Sequence, residues 1–149
     1  MRILLLVLCF FGLTAQADGP GPNDPETWYK SNYAPLWADQ PGNNRDQMLT
    51  YYTDIVTTYA DDGVVTRTPK DEWLVLDGWI AEGWLTATLQ TLKTERLNDS
   101  TAVFKASWLD SYTDAPDETS CGWYLAGLVD GRWQFFAYTD IDCETHGLI

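Results

Sequence analysis

Two stretches of different grain predict an α+β fold. From Pro25 to Trp84, apolar residues recur three and four apart, as on helix faces. From Trp84 to Ile141 that period is lost, and long runs alternate apolar with polar residues between turn signals. Within the second stretch, Asp130-Gly131 is a strong two-residue hairpin signal, so the strands there are antiparallel neighbours. Helices first and strands afterwards is a segregated order, the mark of α+β.

The first element lies ahead of the fold. Arg2 precedes an unbroken apolar run from Ile3 to Phe11, and Ala15-Gln16-Ala17 follows, which is the pattern of an export signal with cleavage expected after Ala17. The run is far short of the roughly 20 apolar residues that span a bilayer, so no membrane anchor is expected after cleavage. Leu8, ahead of Cys9, is not the small residue that lipid attachment requires. The expected localisation is periplasmic or secreted, with residues 18–24 as a flexible arm, 25–143 as one domain and 144–149 as a tail.

Charge excludes some partners. The chain carries 22 acidic and 9 basic residues, a net −13, and loss of Arg2 makes it −14. Phosphate backbones and anionic membranes would be repelled, so neither nucleic acid nor a lipid surface is expected as a partner. Cys9 leaves with the signal. Cys121 and Cys143 remain as an even pair in an oxidising compartment, and a disulfide between them is expected to contribute about 3 kcal/mol.

Pro25 suits the first helical position with Asp24 as cap, and Trp28, Tyr29, Tyr33, Leu36 and Trp37 repeat behind it, with Pro35 a potential kink. After Pro41-Gly42-Asn43, the spacing of Met48, Tyr51, Tyr52 and Ile55 predicts a second helix from Asn44 to about Thr57. Tyr59 to Gly63 reads as a turn, and Val64-Val65 as a short strand stopped by Pro69. In the third helix, started by Thr68 or Pro69, Trp73, Leu76, Asp77, Ile80 and Trp84 share a face, and Gly83 is a left-handed stop. Strands follow at Leu85–Leu97 and Ala102–Tyr112, turned at Asn98-Asp99-Ser100, a segment that also meets the glycosylation pattern but reads as a turn. The last hairpin is Cys121–Val129 with Arg132–Ile141. A two-residue turn would set Cys121 opposite Asp140, so a bulge or a splayed end must supply the offset for a bond to Cys143.

Three helices with a short strand before the third, then a run of long antiparallel strands, resembles the nuclear transport factor 2-like superfamily, which includes ketosteroid isomerases, polyketide cyclases and limonene epoxide hydrolases. Its most specific piece is Tyr59-Ala60-Asp61-Asp62-Gly63-Val64-Val65. The resemblance implies three helices packed in the concave face of a curved, mainly antiparallel sheet, a cone around an apolar pocket. It also implies a possible homodimer through the convex sheet face. The ketosteroid isomerase chemistry is not carried over. Tyr33 matches that branch's helix-one tyrosine, but Val64-Val65-Thr66-Arg67-Thr68 offers no carboxylate base, and Trp123 and Tyr124 stand where its second acid would be. Arg67, Asp77 and Asp110 are residue types that could imitate the epoxide-hydrolase trio.

Candidate residues fall into two sets. Asp77, a carboxylate on an apolar helix face, is the candidate general acid or base, with Arg67 and Tyr33 assisting. Tyr33, Trp37, Tyr59, Trp84, Trp108 and Trp123 are the candidate pocket aromatics, set against the alternative of a solid aromatic core. Asp140, Asp142, Glu144 and His146 alternate and would share one face of an extended tail, but they read as a solvated edge; no metal and no cofactor is expected. His146 is the only histidine, without a nucleophile-elbow motif or the usual zinc ligands. The expected function is binding of a small apolar or aromatic ligand without a recognised family mechanism. The alternatives are an isomerase, cyclase or epoxide hydrolase using Asp77, and a homodimeric interaction module.

Overall fold

The computed structural model describes residues 23–39, 41–60 and 63–149. The expected signal at 1–17 and the arm through residue 22 lie outside the described residues. The architecture is α+β, with three helical bodies against a curved, open six-stranded sheet in the order β2-β1-β6-β5-β4-β3.

The first body runs α1 (Pro25–Trp28), a π turn (Tyr29–Tyr33) and α2 (Ala34–Ala38) without a break. Asp24 caps it by accepting from the Thr27 amide at 2.8 Å. In the π turn the Ala34 amide reaches back five residues to the Tyr29 carbonyl. The widening falls just ahead of Pro35, which has no amide proton and crowds the preceding turn. Trp28, Tyr29 and Tyr33 are thereby buried against the sheet, with Tyr33 4.6 Å from the Phe135 ring and Tyr29 4.8 Å from Phe104.

The second body is shorter than the spacing predicts. A 3-10 turn (Pro41–Asn44) leads into α3 (Arg45–Leu49), and Tyr52–Ala60 is a strand, β1. The reason lies in Thr53, Ile55, Val56, Thr57 and Thr58, branched side chains that lose rotamer freedom in a helix and suit a pleated surface. Their burial has period two: Val56 and Thr58 are buried, whereas Ile55 and Tyr59 are exposed. The segment read as a turn into the first strand therefore closes a hairpin, since Tyr59 pairs with Val64 and Ala60 with Gly63 of β2 (Gly63–Arg67).

The third body, α4 (Pro69–Ala81), starts with a capping box in which Thr68 and Asp71 satisfy each other's amides, and it stops at Gly83, φ 101°. Then come β3 (Trp84–Asn98), β4 (Thr101–Tyr112), β5 (Glu118–Val129) and β6 (Arg132–Asp140), antiparallel in sequence. The sheet's parallel contact is β1 with β6. Asp130 and Gly131 both have positive φ, as a type I′ turn requires.

The β5–β6 register shifts by one residue between Leu125 and Ala126, which brings Ile141 opposite Cys121. The chain then turns and closes the Cys121–Cys143 disulfide, with Cα atoms 5.4 Å apart. The bulge supplies the offset that a plain hairpin lacks. Beyond it the tail is a series of turns rather than an extended strand, so its acids do not share a face. Leu148 is buried on the convex side of the sheet, where its carbonyl accepts from Ser107 Oγ at 3.3 Å. Lys93 Nζ donates to the carbonyls of His146 and Gly147 at 3.0 and 2.7 Å.

Candidate functional site

Between the three helical bodies and the concave sheet lies a cavity of about 120 Å³. The first helix contributes Tyr33 and Trp37, α3 contributes Met48, and β1 contributes Tyr52. From α4 come Glu72, Trp73, Leu76 and Trp79. The sheet closes the other side with Trp84 of β3, Trp108 and Asp110 of β4, Tyr124 of β5 and Tyr138 of β6. Gly122 makes room for this arrangement, because a Cβ there would stand 2.5 Å from the Tyr124 hydroxyl. The space is well below the 300–1,000 Å³ usual for drug-sized ligands and close to the ~150 Å³ in which an apolar cavity holds benzene. Most of the interior is therefore aromatic core, with room left for one compact molecule.

The wall is apolar with a few fixed polar groups. Tyr33 and Tyr52 share a hydrogen bond of 2.9 Å between their hydroxyls. Asp110 accepts from the Trp84 indole N–H at 3.0 Å and from the Ser120 hydroxyl. The Tyr138 hydroxyl donates to Glu72 Oε2. Glu72 Oε1 is buried without a hydrogen-bond partner and lies 3.8 Å from Arg67 Nη1, beyond hydrogen-bonding distance. Burial raises the Glu72 carboxyl above its ordinary value and Asp71 adds to this, while the Tyr138 hydrogen bond and Arg67 oppose it. Burial likewise pushes the hydroxyls of Tyr33, Tyr52, Tyr124 and Tyr138 upward, so they stay neutral through the physiological range. The indole N–H groups of Trp37 and Trp73 are buried and have no partner among the described residues.

Of the sequence candidates, Tyr33, Trp37, Trp84, Trp108 and, from the trio with Arg67 and Asp77, Asp110 border the cavity. Tyr59 does not: it projects from the outer face of β1 and is half exposed. Trp123 faces away as well, because on β5 it alternates with Tyr124, the residue that turns inward. Asp77 is not among apolar side chains. Its side chain is 49% exposed and Oδ2 accepts from Arg45 Nη2 at 2.8 Å, while Arg45 in turn covers the Trp73 ring at 4.4 Å. Arg67 reaches the cavity only indirectly, behind Glu72.

Glu72, Tyr52, Trp73, Trp79, Tyr124 and Tyr138 border the cavity and are not among the sequence candidates. A signal for Glu72 existed. At 100° per residue, Glu72 and Asp77 each stand about 70° from the middle of the Trp73–Leu76–Ile80 stripe, on opposite flanks. The stripe alone does not distinguish them; the packing of α4 over the sheet turns the Glu72 flank inward. Among the described residues, no three His, Cys, Asp or Glu side chains gather as a metal site would require, and no helix is long and apolar enough to cross a membrane.

The fold is shared with solved structures. A nuclear transport factor 2-like protein of unknown function from Shewanella oneidensis MR-1 superposes with a TM-score of 0.59 at 16% identity, over 81% of this chain and 99% of that one. A protein with a cystatin-like fold from Caulobacter vibrioides gives 0.58 at 12%, over 83% and 92%. A proposed ketosteroid isomerase from Shewanella frigidimarina gives 0.52 at 14%, over 67% and 83%. Neither a family model nor a curated protein matches the chain. The chain thus has the nuclear transport factor 2-like, cystatin-like α+β fold, and the likeness is one of fold.

Proposed function

We propose that this is an exported protein that binds one compact, largely apolar or aromatic molecule in the concave cavity, without a catalytic mechanism known in relatives of this fold. The observation that carries the reading is a space of about 120 Å³ bordered by Tyr33, Trp37, Trp84 and Trp108 and left open in an otherwise filled aromatic core. The signal pattern at residues 1–17 and the Cys121–Cys143 disulfide support passage into an oxidising compartment. Binding raises stability with ligand concentration, so thermal unfolding is a direct test. One-ring probes such as phenol should raise the melting temperature in a saturable way, and a steroid-sized probe should not. Stabilisation by the large probe alone would overturn the size assignment.

The enzyme alternative built on Asp77 with Arg67 and Tyr33 finds one of its three members, Tyr33, at the cavity. Homodimer formation is supported by Ile55, Tyr59 and Val64, which stand exposed together on the β1–β2 hairpin. Sedimentation at micromolar concentration tests it, with a monomer counting against it.

A further inference from the structure

The cavity pairs aromatic rings with negative charge. Five tryptophans and four tyrosines border it, and so do three carboxylates, those of Glu72, Asp110 and Asp140; no Lys, Arg or His does so among the described residues. The whole chain adds a field of the same sign, at net −13. Ring faces attract cations and methylated ammonium groups in particular, because the quadrupole acts strongly where water is excluded and the methyl groups fit an apolar wall. An anion would meet the opposite of each of these terms.

Two further features narrow the ligand. Glu72 is nine-tenths buried, with a side chain 10% exposed, and its Oε1 has no hydrogen bond. A buried acceptor without a partner is costly, and a cation beside it would compensate its charge. Trp37 and Trp73 border the same space, and their unpartnered indole N–H groups would suit an oxygen on the ligand. Trp79, nearly half exposed, also borders the cavity.

We propose that the ligand is a small organic cation, a methylated ammonium ion with a neighbouring oxygen, held by the aromatic wall and by the Glu72 carboxylate. This rests on the cavity being a ligand site and names the chemistry of its occupant. Arg67 approaches Glu72 from β2 and competes for its charge, so the rings carry part of the recognition. The groups facing Glu72 are Tyr138 from β6, Arg67 from β2, Tyr52 from β1 and Asp71 on its own helix. Burial favours the protonated carboxyl in the empty site, whereas a cation favours the carboxylate. Affinity for the cation should therefore rise as pH rises through the Glu72 titration.

The experiment compares choline with 3,3-dimethylbutan-1-ol, its uncharged carbon counterpart, and with phenol, by calorimetric titration of the mature protein. Choline should bind about tenfold more tightly than the alcohol or better, with affinity increasing with pH. Glu72→Gln should remove most of that preference and its pH dependence while leaving the alcohol's affinity within about twofold. Trp73→Phe, which keeps a ring and removes the N–H, serves as the second variant and should weaken choline while retaining the pH slope. Equal binding of choline and the alcohol, or binding of phenol without choline, overturns the cation assignment and leaves the pocket reading standing. Binding of none of the three overturns both.

Discussion

The two flanks of α4 carry similar groups to opposite fates. On one, Glu72 is buried, accepts from the Tyr138 hydroxyl and borders the cavity; on the other, Asp77 is half exposed and pairs with Arg45. Both carboxylates lie next to the same apolar stripe, five residues apart on the helix. Chemical type and local spacing are therefore insufficient to tell which carboxylate faces the cavity. What separates them is which element packs over each flank, the β-sheet over Glu72 and the short α3 beside Asp77.

Changes at and around the stripe should fall in a definite order. The largest effect is expected from Trp73→Ala, which removes a buried ring from the stripe itself and should cost about 3–5 kcal/mol in urea unfolding. A loss below 1 kcal/mol would mean that α4 is not anchored through this residue. Tyr138→Phe comes next, since it leaves Glu72 Oε2 buried without its donor, and about 1–3 kcal/mol is expected. The same change should raise the Glu72 titration further, because the hydrogen bond opposes the effect of burial.

Glu72→Gln sharpens the contrast through pH. The folded carboxyl binds its proton more tightly than the unfolded one, so between the ordinary Glu value and the raised folded value stability falls as pH rises. Below that window the group contributes no penalty. The Gln variant should flatten this slope in denaturation curves collected across mildly acidic pH, and an unchanged slope would remove Glu72 as its source. Asp24, Asp71 and Asp142 are lowered by hydrogen bonds to Thr27, Thr68 and Thr145, so their contribution is lost at lower pH and leaves this window clear. The smallest effect belongs to Asp77→Asn, under about 1 kcal/mol, as befits an exposed ion pair. It should leave ligand binding unchanged.

Much of the fold was legible because its signals were local and redundant. Thr68-Pro69 with Asp71 marks the start of α4 and Gly83 its end, while Asp130-Gly131 closes the last hairpin. The failure of β1 has a physical reason. Met48, Tyr51, Tyr52 and Ile55 fit a helix by spacing, yet the branched residues from Thr53 to Thr58 pair with β2 and β6, and that non-local pairing wins. The choice between Trp123 and Tyr124 was likewise invisible. Both are aromatic, and a one-residue change of register, of the kind the bulge after Leu125 introduces, exchanges which of them points inward.

We place the ligand site inside the concave face and not on the outer aromatics. The direct measurement is the set of tryptophan indole N–H signals in a nitrogen–proton correlation spectrum, followed as phenol is added. The signals of Trp37, Trp73 and Trp108, which border the cavity, should move together and saturate, while that of Trp123 on the outer face stays in place. Movement of Trp123 with the three interior signals unchanged would put the site on the outer face of the sheet instead.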